Sequence, residues 1–404
     1  MRIGLETNFM NRSITGIANY TYHIVRAILE RDASFRFMGF GQVAWQPMDS
    51  TVLDGFAAPA HGDDDEEIFR SRQEAPRSLW ELSRTAAAQL ARVQTLREAY
   101  RSGRRYRFMA SIRSQSLDLF HAFNYRPPGE VDIPVIPVVY DLSTFRHPEF
   151  HPADRVRYLA ELPRTLSCAP LVQTISEFSK AEIVSVFGYP PEKIFVATPA
   201  ANEIFHPRGE ELTQSHLDAL ILRTGKYFLA VGTLEPRKNI RTLISAYAAL
   251  PPADRSSFPL VIAGGAGWGN LGLPKEAMAL IGNGSIRFVG SVPNARLRSL
   301  YEGARIFLMP SLYEGFGMPV VEALACGTPV AHSADTSMDE ISGNIGKRVA
   351  ALDVDGWTDV LKGAIDNNDH ADPVRREARI VRARQFDWKH SAGLVVDAYR
   401  RILN

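Results

Sequence analysis

Along this chain, short apolar runs alternate with longer stretches of helical periodicity. The first half contains RIGLE, SFRFMGF, DLFHAF, IPVIPVVY, PLVQTIS and KIFVATP, and the second contains KYFLAVG, PLVIAGG, IRFVGSV, IFLMPS and TPVAHS. The runs are continuous and β-rich, which predicts strands buried on both faces, in parallel sheets covered by helices. Two such series predict an α/β chain of two doubly wound domains in tandem, and open sheets of this kind bind ligands at the carboxyl ends of their strands. The break is expected near residues 200–215, where AANEIFHPRGEELTQ is polar, carries Pro207 and Gly209, and fits neither series.

One stretch interrupts the alternation. Between residues 60 and 115, an acidic cluster, HGDDDEE, precedes a helical segment bearing Arg97, Arg101, Arg104, Arg105, Arg107 and Arg113. Two readings are open: a solvated helical insertion, or an electrostatic patch for anionic lipid or a lipid-phosphate acceptor.

Composition narrows the partners. With 404 residues and 45% apolar content, the chain can bury two cores. A formal charge of +1 lacks the basic excess of a general nucleic-acid binder, so small molecules are the expected partners. Cys168 and Cys326 are far apart and lack partners at metal-ligand spacing, which supports neither a disulfide framework nor a zinc site and fits a reducing cytosol. No run approaches ~20 apolar residues, and MRIGLETN does not read as a signal peptide. The expected location is cytoplasmic, with peripheral contact at the inner face of the cytoplasmic membrane if the arginines meet lipid.

The candidate chemistry centres on SLYEGFGMPVVEALACGTPV, residues 311–330. IFLMPS reads as the strand, LYEGFGM as a turn, and Pro319 as the first residue of a helix running to about Cys326, with Gly327 as its left-handed cap. The free N–H groups and positive dipole end of such a helix suit a diphosphate. Glu314 and Glu322 flank that anion site, where carboxylates would accept hydrogen bonds from hydroxyls. A diphosphate between two polyhydroxylated rings is a nucleotide-sugar. In VGTLEPRKNI, Arg237 and Lys238 follow strand KYFLAVG; they either neutralise a departing diphosphate or open the next helix as a solvated face. GGAGWG at 264–269 lacks the G-x-G-x-x-G spacing and no G-x-x-x-x-G-K-[ST] loop is present, which argues against NAD and P-loop chemistry. DVD at 353–355 precedes a helical pattern and DDD at 63–65 lies in a charge run, so no metal site is expected.

Together, TGIANYTYHI (15–24), DLSTFRHPEFHP (141–152), TISEFSKAEI (174–183), VGTLEPRKN (231–239), AGGAGW (263–268) and EGFGMPVVEALACGTPV (314–330) resemble the retaining glycosyltransferases of family four, which have the GT-B fold and include bacterial mannosyltransferases of O-antigen and exopolysaccharide assembly. The resemblance implies two Rossmann-like domains around a cleft: an acceptor-binding domain over 1–205 and a nucleotide-sugar-binding domain over 206–385. A terminal helix over 386–404 is expected to pack back toward the first domain. The resemblance also implies a nucleotide-sugar donor, with GDP-mannose favoured, a saccharide or lipid-linked saccharide acceptor, and no metal or other cofactor.

Residue by residue, the resemblance implies that Glu314 holds donor-sugar hydroxyls while the N–H groups of Gly315, Phe316, Gly317 and Met318 line the sugar and diphosphate. Glu322 would bind the ribose, and Arg237 and Lys238 the diphosphate. Gly232 ends the phosphate strand, Gly16 would let backbone approach from the other domain, and base recognition would fall around SIRFVGSV and Val292. There are two departures. Thr233 stands where many relatives carry arginine, and Tyr140 stands before Asp141 where many carry a histidine that touches the donor sugar. His121 is read either as a contact reaching the cleft or as a packed core histidine. A nucleotide-sugar-binding protein without transfer, and an epimerase or phosphorylase of the same fold, are the alternative functions.

Overall fold

The computed structural model describes residues 1–10, 16–57 and 94–403. Strands β1 (Arg2–Glu6), β2 (Arg36–Phe40), β3 (Trp45–Met48), β4 (Leu119–Ala122), β5 (Val135–Val139), β6 (Val172–Thr174) and β7 (Ile194–Val196) form one sheet in the order β3-β2-β1-β4-β5-β6-β7. Strands β8 (Phe228–Val231), β9 (Leu260–Ala263), β10 (Ile286–Gly290), β11 (Ile306–Met309), β12 (Val330–Ser333) and β13 (Lys347–Val349) form a second, ordered β10-β9-β8-β11-β12-β13. In each sheet the strand order reverses beside the first strand, so the chain leaves β1 and β4, or β8 and β11, toward opposite sides and opens a crevice at their carboxyl ends.

Every apolar run named above contains a strand, and two strands escape the pattern. Strand β3 pairs antiparallel with β2 and carries the exposed Pro47, so the first sheet is parallel only up to that edge. Strand β13, KRV, has two exposed residues of three and forms the edge of the second sheet. Edge strands need not be buried on both faces, and neither leaves an apolar run in the sequence.

Strands β9, β11 and β12 are buried at every residue. The helix Gly16–Arg31 turns Tyr20, Ile24, Val25 and Ile28 inward, one apolar stripe at helical spacing. Across it lies the helix Trp388–Leu403. Trp388 stacks on His23 at 4.8 Å, Ser391 Oγ donates to the Thr198 carbonyl at 2.6 Å, and Tyr399 meets His121 Nδ1 at 2.6 Å. The preceding helix, Pro373–Ala383, packs instead on Met318–Ala325 in the second domain. The chain therefore passes between the domains twice, after β7 and again after Ala383.

The arginine-bearing helix Gln94–Ile112 docks on the first sheet through Phe108, whose ring lies 5.2 Å from Phe40 and 5.5 Å from Phe120. Arg104 turns inward, 2.7 Å from Glu6 and over the Phe40 ring. Arg101, Arg105 and Arg113 are exposed and pair with Asp154, Glu130 and Asp132, and Arg107 is exposed as well. The arginines thus do not form one outward surface: Arg104 belongs to a buried ion pair. HGDDDEE, with Asp63, Asp64 and Asp65, and the side chain of Arg97 lie outside the described residues.

Candidate active site

Strands β8 and β11 are parallel neighbours, so the segments that follow them emerge side by side. After β8 the chain makes a short turn at Pro236–Lys238, and after β11 it loops through residues 310–317 into the helix Met318–Ala325. Leu312 N–H donates to the Arg237 carbonyl at 2.8 Å. Asn239, in the left-handed region at φ 52°, donates its side-chain amide to the carbonyls of Pro310 (2.9 Å) and Ala351 (2.7 Å). These bonds hold the two segments in register.

Glu314 lies between two cations. Its Oε2 is 2.9 Å from Arg237 Nη1 and its Oε1 is 2.7 Å from Lys238 Nζ. Arg237 also pairs with Glu235 at 2.7 Å and donates to the Tyr313 carbonyl at 2.6 Å. The four charged side chains are only 3% to 14% exposed, and their formal charges cancel. Buried charges persist only when paired in this way. Burial pushes the Glu314 carboxyl up, but Arg237 and Lys238 outweigh it and hold the pKa down at about 2. Burial opposes the charge on Arg237, and Glu314, Asp141 and Glu235 overcome it, so its pKa is raised. The acid and the guanidinium are both ionised at neutral pH.

The first domain closes on this group. A Cβ on Gly315 would stand 2.2 Å from the Tyr140 carbonyl oxygen and 2.7 Å from Asp141 Cβ, so only glycine lets the two domains approach this closely here. The Gly315 carbonyl accepts from Ser176 Oγ at 2.6 Å and Ser179 Oγ at 3.1 Å. Leu142 N–H donates to the Tyr313 hydroxyl at 3.3 Å, and the Trp268 indole donates to the Phe150 carbonyl at 2.7 Å. Asp141 is itself fixed, accepting from Ser143 N–H and Oγ.

Gly317, at φ 110°, turns the chain into the helix, and Pro319 is its second residue rather than its first. The backbone N–H groups of Phe316, Gly317 and Met318 donate to no backbone carbonyl among the described residues, leaving the unsatisfied donors that favour an anion at a helix start. At the far end, Gly327 at φ 79° and Thr328 return hydrogen bonds to Leu324 and Ala323, and the helix stops at Ala325. Glu322 is the fifth residue of the helix, in the second turn rather than the first. It accepts one hydrogen bond, from the Tyr301 hydroxyl at 3.0 Å, and burial raises its pKa to about 7.

Glu314, Arg237, Lys238, Gly232, the 315–318 segment and Asp141 come together at one end of the second sheet. Tyr140 contributes its backbone: its ring packs against Tyr20 and Tyr125 at 5.6 Å each, inside the first domain, and its buried hydroxyl lies near Thr21 without a well-formed hydrogen bond. His121 is fully buried, stacked on Phe123 at 3.9 Å with its Nδ1 bound to the Tyr399 hydroxyl, its Nε2 has no hydrogen-bond partner among the described residues, and burial lowers its pKa to about 3. Gly16 opens its helix, and apart from its chain neighbours and that helix's own backbone no atom of the described residues lies within 4 Å of where a Cβ would be. Val292 lies just beyond β10, partly buried against the core. GGAGWG runs beside residues 232–234, joined by the bridge Leu234–Ala266. Asp353 caps the helix Val354–Asp366 by accepting from Gly356 N–H at 2.9 Å, and among the described residues no group of three or more His, Cys, Asp or Glu could hold a metal.

Sequence reasoning missed Glu235, Tyr313, Ser176, Ser179, Trp268 and His151. All six lie in segments the sequence singled out, and Glu235 stands two residues before Arg237 on the same turn. The roles of the others depend on contacts across the domain gap, which local spacing does not encode.

Comparisons with known proteins fit this geometry. A family model described as glycosyl transferases group 1 matches residues 216–379. O-antigen chain mannosyltransferase B from Escherichia coli is 35% identical over 312 residues, 77% of this chain and 81% of that protein. Sucrose-phosphate synthase from Thermosynechococcus elongatus superposes with a TM-score of 0.70 at 17% identity, over 99% of this chain and 98% of that one. Anabaena HepE in complex with UDP and glucose gives 0.69 at 16% identity, over 99% and 100%. At these identities the two structures show the fold alone, and it is GT-B.

Proposed function

This chain belongs to the group 1 glycosyl transferases, and on that premise we propose that it is a retaining mannosyltransferase that takes its sugar from GDP-mannose. It is an enzyme of the GT-B class, moving a hexose from a nucleotide-sugar to a saccharide acceptor. Support for mannose, and for an acceptor in O-antigen chain synthesis, comes from the Escherichia coli relative, whose name specifies an O-antigen chain mannosyltransferase; that the acceptor is lipid-linked is part of the proposal.

The observation that carries the site reading is the buried group of Arg237, Glu314 and Lys238 beside the open start of the helix Met318–Ala325. In this reading the N–H groups of residues 316–318 and the two cations receive the diphosphate, Glu314 accepts from sugar hydroxyls, and Glu322 accepts from the ribose. Gly16 leaves room for the diphosphate from the first domain, and the base lies near Val292. As the bond between the sugar carbon and the phosphate oxygen breaks, fixed donors stabilise the charge growing on the leaving diphosphate. The acceptor hydroxyl attacks the same face and its proton passes to the leaving phosphate, so no enzyme nucleophile is required.

No helix among the described residues is long and apolar enough to cross a membrane. Peripheral contact with the inner face of the cytoplasmic membrane belongs to the same proposal. Its support is the exposure of Tyr100, Tyr106 and Arg107 on the helix Gln94–Ile112, while Arg101 and Arg105 are paired with Asp154 and Glu130.

A thermal-shift series with GDP-mannose, UDP-glucose and a dTDP-sugar tests the donor, since a ligand at 100 times its dissociation constant stabilises by ~2.7 kcal/mol. Transfer to extracted lipid-linked saccharide, with the product anomer read by NMR, tests the reaction. Stabilisation by UDP-glucose and not GDP-mannose would sink the donor assignment, and an inverted product would sink retention.

A further inference from the structure

His151 is the penultimate residue of the segment DLSTFRHPEFHP that begins with Asp141. Its ring centre is 6.5 Å from that of Trp268 in the other domain, and the charges of Arg155, Asp141, Arg237 and Glu149 act on it. The indole of Trp268 donates to the carbonyl of Phe150, the residue just before it, so the ring's backbone is anchored across the gap. Both nitrogens, Nδ1 and Nε2, are shielded from solvent and have no hydrogen-bond partner among the described residues. Buried polar atoms are usually paired, and leaving one unpaired is costly. Here two orphaned atoms share one ring, at the point where the first domain is bonded to Trp268 of the second.

We propose that His151 is a substrate contact of the transfer reaction, its imidazole hydrogen-bonding a sugar hydroxyl in the gap between the domains beside Phe150 and Trp268. The proposal rests on the glycosyltransferase reading of that gap. The chemistry selects a hydroxyl rather than a phosphate. Burial, reinforced by Arg155 and Arg237, lowers the His151 pKa to about 4, so the ring is neutral at pH 7 and offers one donor and one acceptor, the complement of a hydroxyl. A neutral imidazole brings no charge to an anion.

The sugar hydroxyl has two possible sources, the hexose being transferred or the acceptor, and the test separates them. Three variants, His151→Ala, His151→Phe and His151→Asn, are compared with wild type for transfer, for slow donor hydrolysis without acceptor, and for melting temperature. Loss of one neutral hydrogen bond predicts a roughly tenfold fall in kcat/KM for Ala and Phe at near-normal melting temperature. Partial recovery is expected in Asn, which keeps a donor and an acceptor. A fall in both transfer and hydrolysis assigns the contact to the donor hexose, and a fall in transfer with a raised acceptor KM assigns it to the acceptor. Wild-type kcat and both KM values in His151→Phe would overturn the His151 assignment alone. A wild-type protein that binds no nucleotide-sugar, by calorimetry, would overturn the donor reading and this contact with it.

Discussion

Lys238 Nζ lies 2.7 Å from Glu314 Oε1, joining the turn after β8 to the loop after β11 by a nearly buried ion pair. Arg237 is held by Glu235, Glu314 and the Tyr313 carbonyl, whereas Glu314 is the charged partner of Lys238 among the described residues. Lys238 can therefore swing its charge to a departing diphosphate with less rearrangement than Arg237. Removal of a preorganised donor of this kind costs about 10²- to 10³-fold in rate. Lys238→Ala should lose turnover by that factor while staying folded, because Arg237 still compensates Glu314. Steady-state kinetics beside circular dichroism check it; near-wild-type turnover would remove Lys238 from the chemistry.

On the proposed reading, charge stabilisation by Arg237, Lys238 and the helix start would supply what a bound cation otherwise provides. Transfer is accordingly expected to continue in EDTA at its rate without chelator. Abolished turnover that magnesium or manganese restores would refute this account.

Glu322 should make donor affinity depend on pH. Its pKa in the free protein is raised from 4.5 to about 7, so the protonated form is favoured by burial, and stability that it contributes at low pH is lost as pH rises through about 7. Ribose hydroxyls donating to it require the carboxylate, so donor binding below pH 7 must expel a proton. Affinity should weaken as pH falls from 7.5 to 5.5, by at most about tenfold per unit. In Glu322→Gln the dependence should flatten. Calorimetry in buffers of different ionisation enthalpy measures the proton; equal pH profiles for both proteins would separate Glu322 from the donor.

Gly315→Ala tests the contact between the domains. The added methyl would overlap the backbone of Tyr140 and the side chain of Asp141, neither free to swing aside, and overpacking of this sort costs typically 1–3 kcal/mol. The expected outcome is a lower melting temperature or a larger radius of gyration in solution scattering, with activity reduced in either case. A variant matching wild type in all three would show that the domains do not meet here in solution.

Much of this was legible in the sequence, for a physical reason. Strands buried on both faces must be apolar throughout, so the central strands of both sheets announce themselves, while β3 with Pro47 and β13 with two exposed basic residues do not. The helix beginning at Met318 is likewise written into Gly317, Pro319 and Gly327, because its ends demand particular backbone angles. Side-chain direction was not legible. Tyr140 and Asp141 are adjacent, yet the tyrosine ring enters the first domain's core and the aspartate lies near Arg237. His121, at the end of β4, faces the terminal helix, more than 270 residues away in sequence. Neither fact has a local signature.

Ser391 Oγ against the Thr198 carbonyl places the chain's two passages between the domains side by side. A single tether would let one domain twist and slide over the other. Two tethers in contact act as the spine of a book, leaving chiefly one degree of freedom, a swing about the line they share. Opening along that swing would part Gly315 from Ser176 and Trp268 from Phe150 in one movement. On the proposed reading, entry of a large donor and exposure of the charged group would then be a single mechanical event.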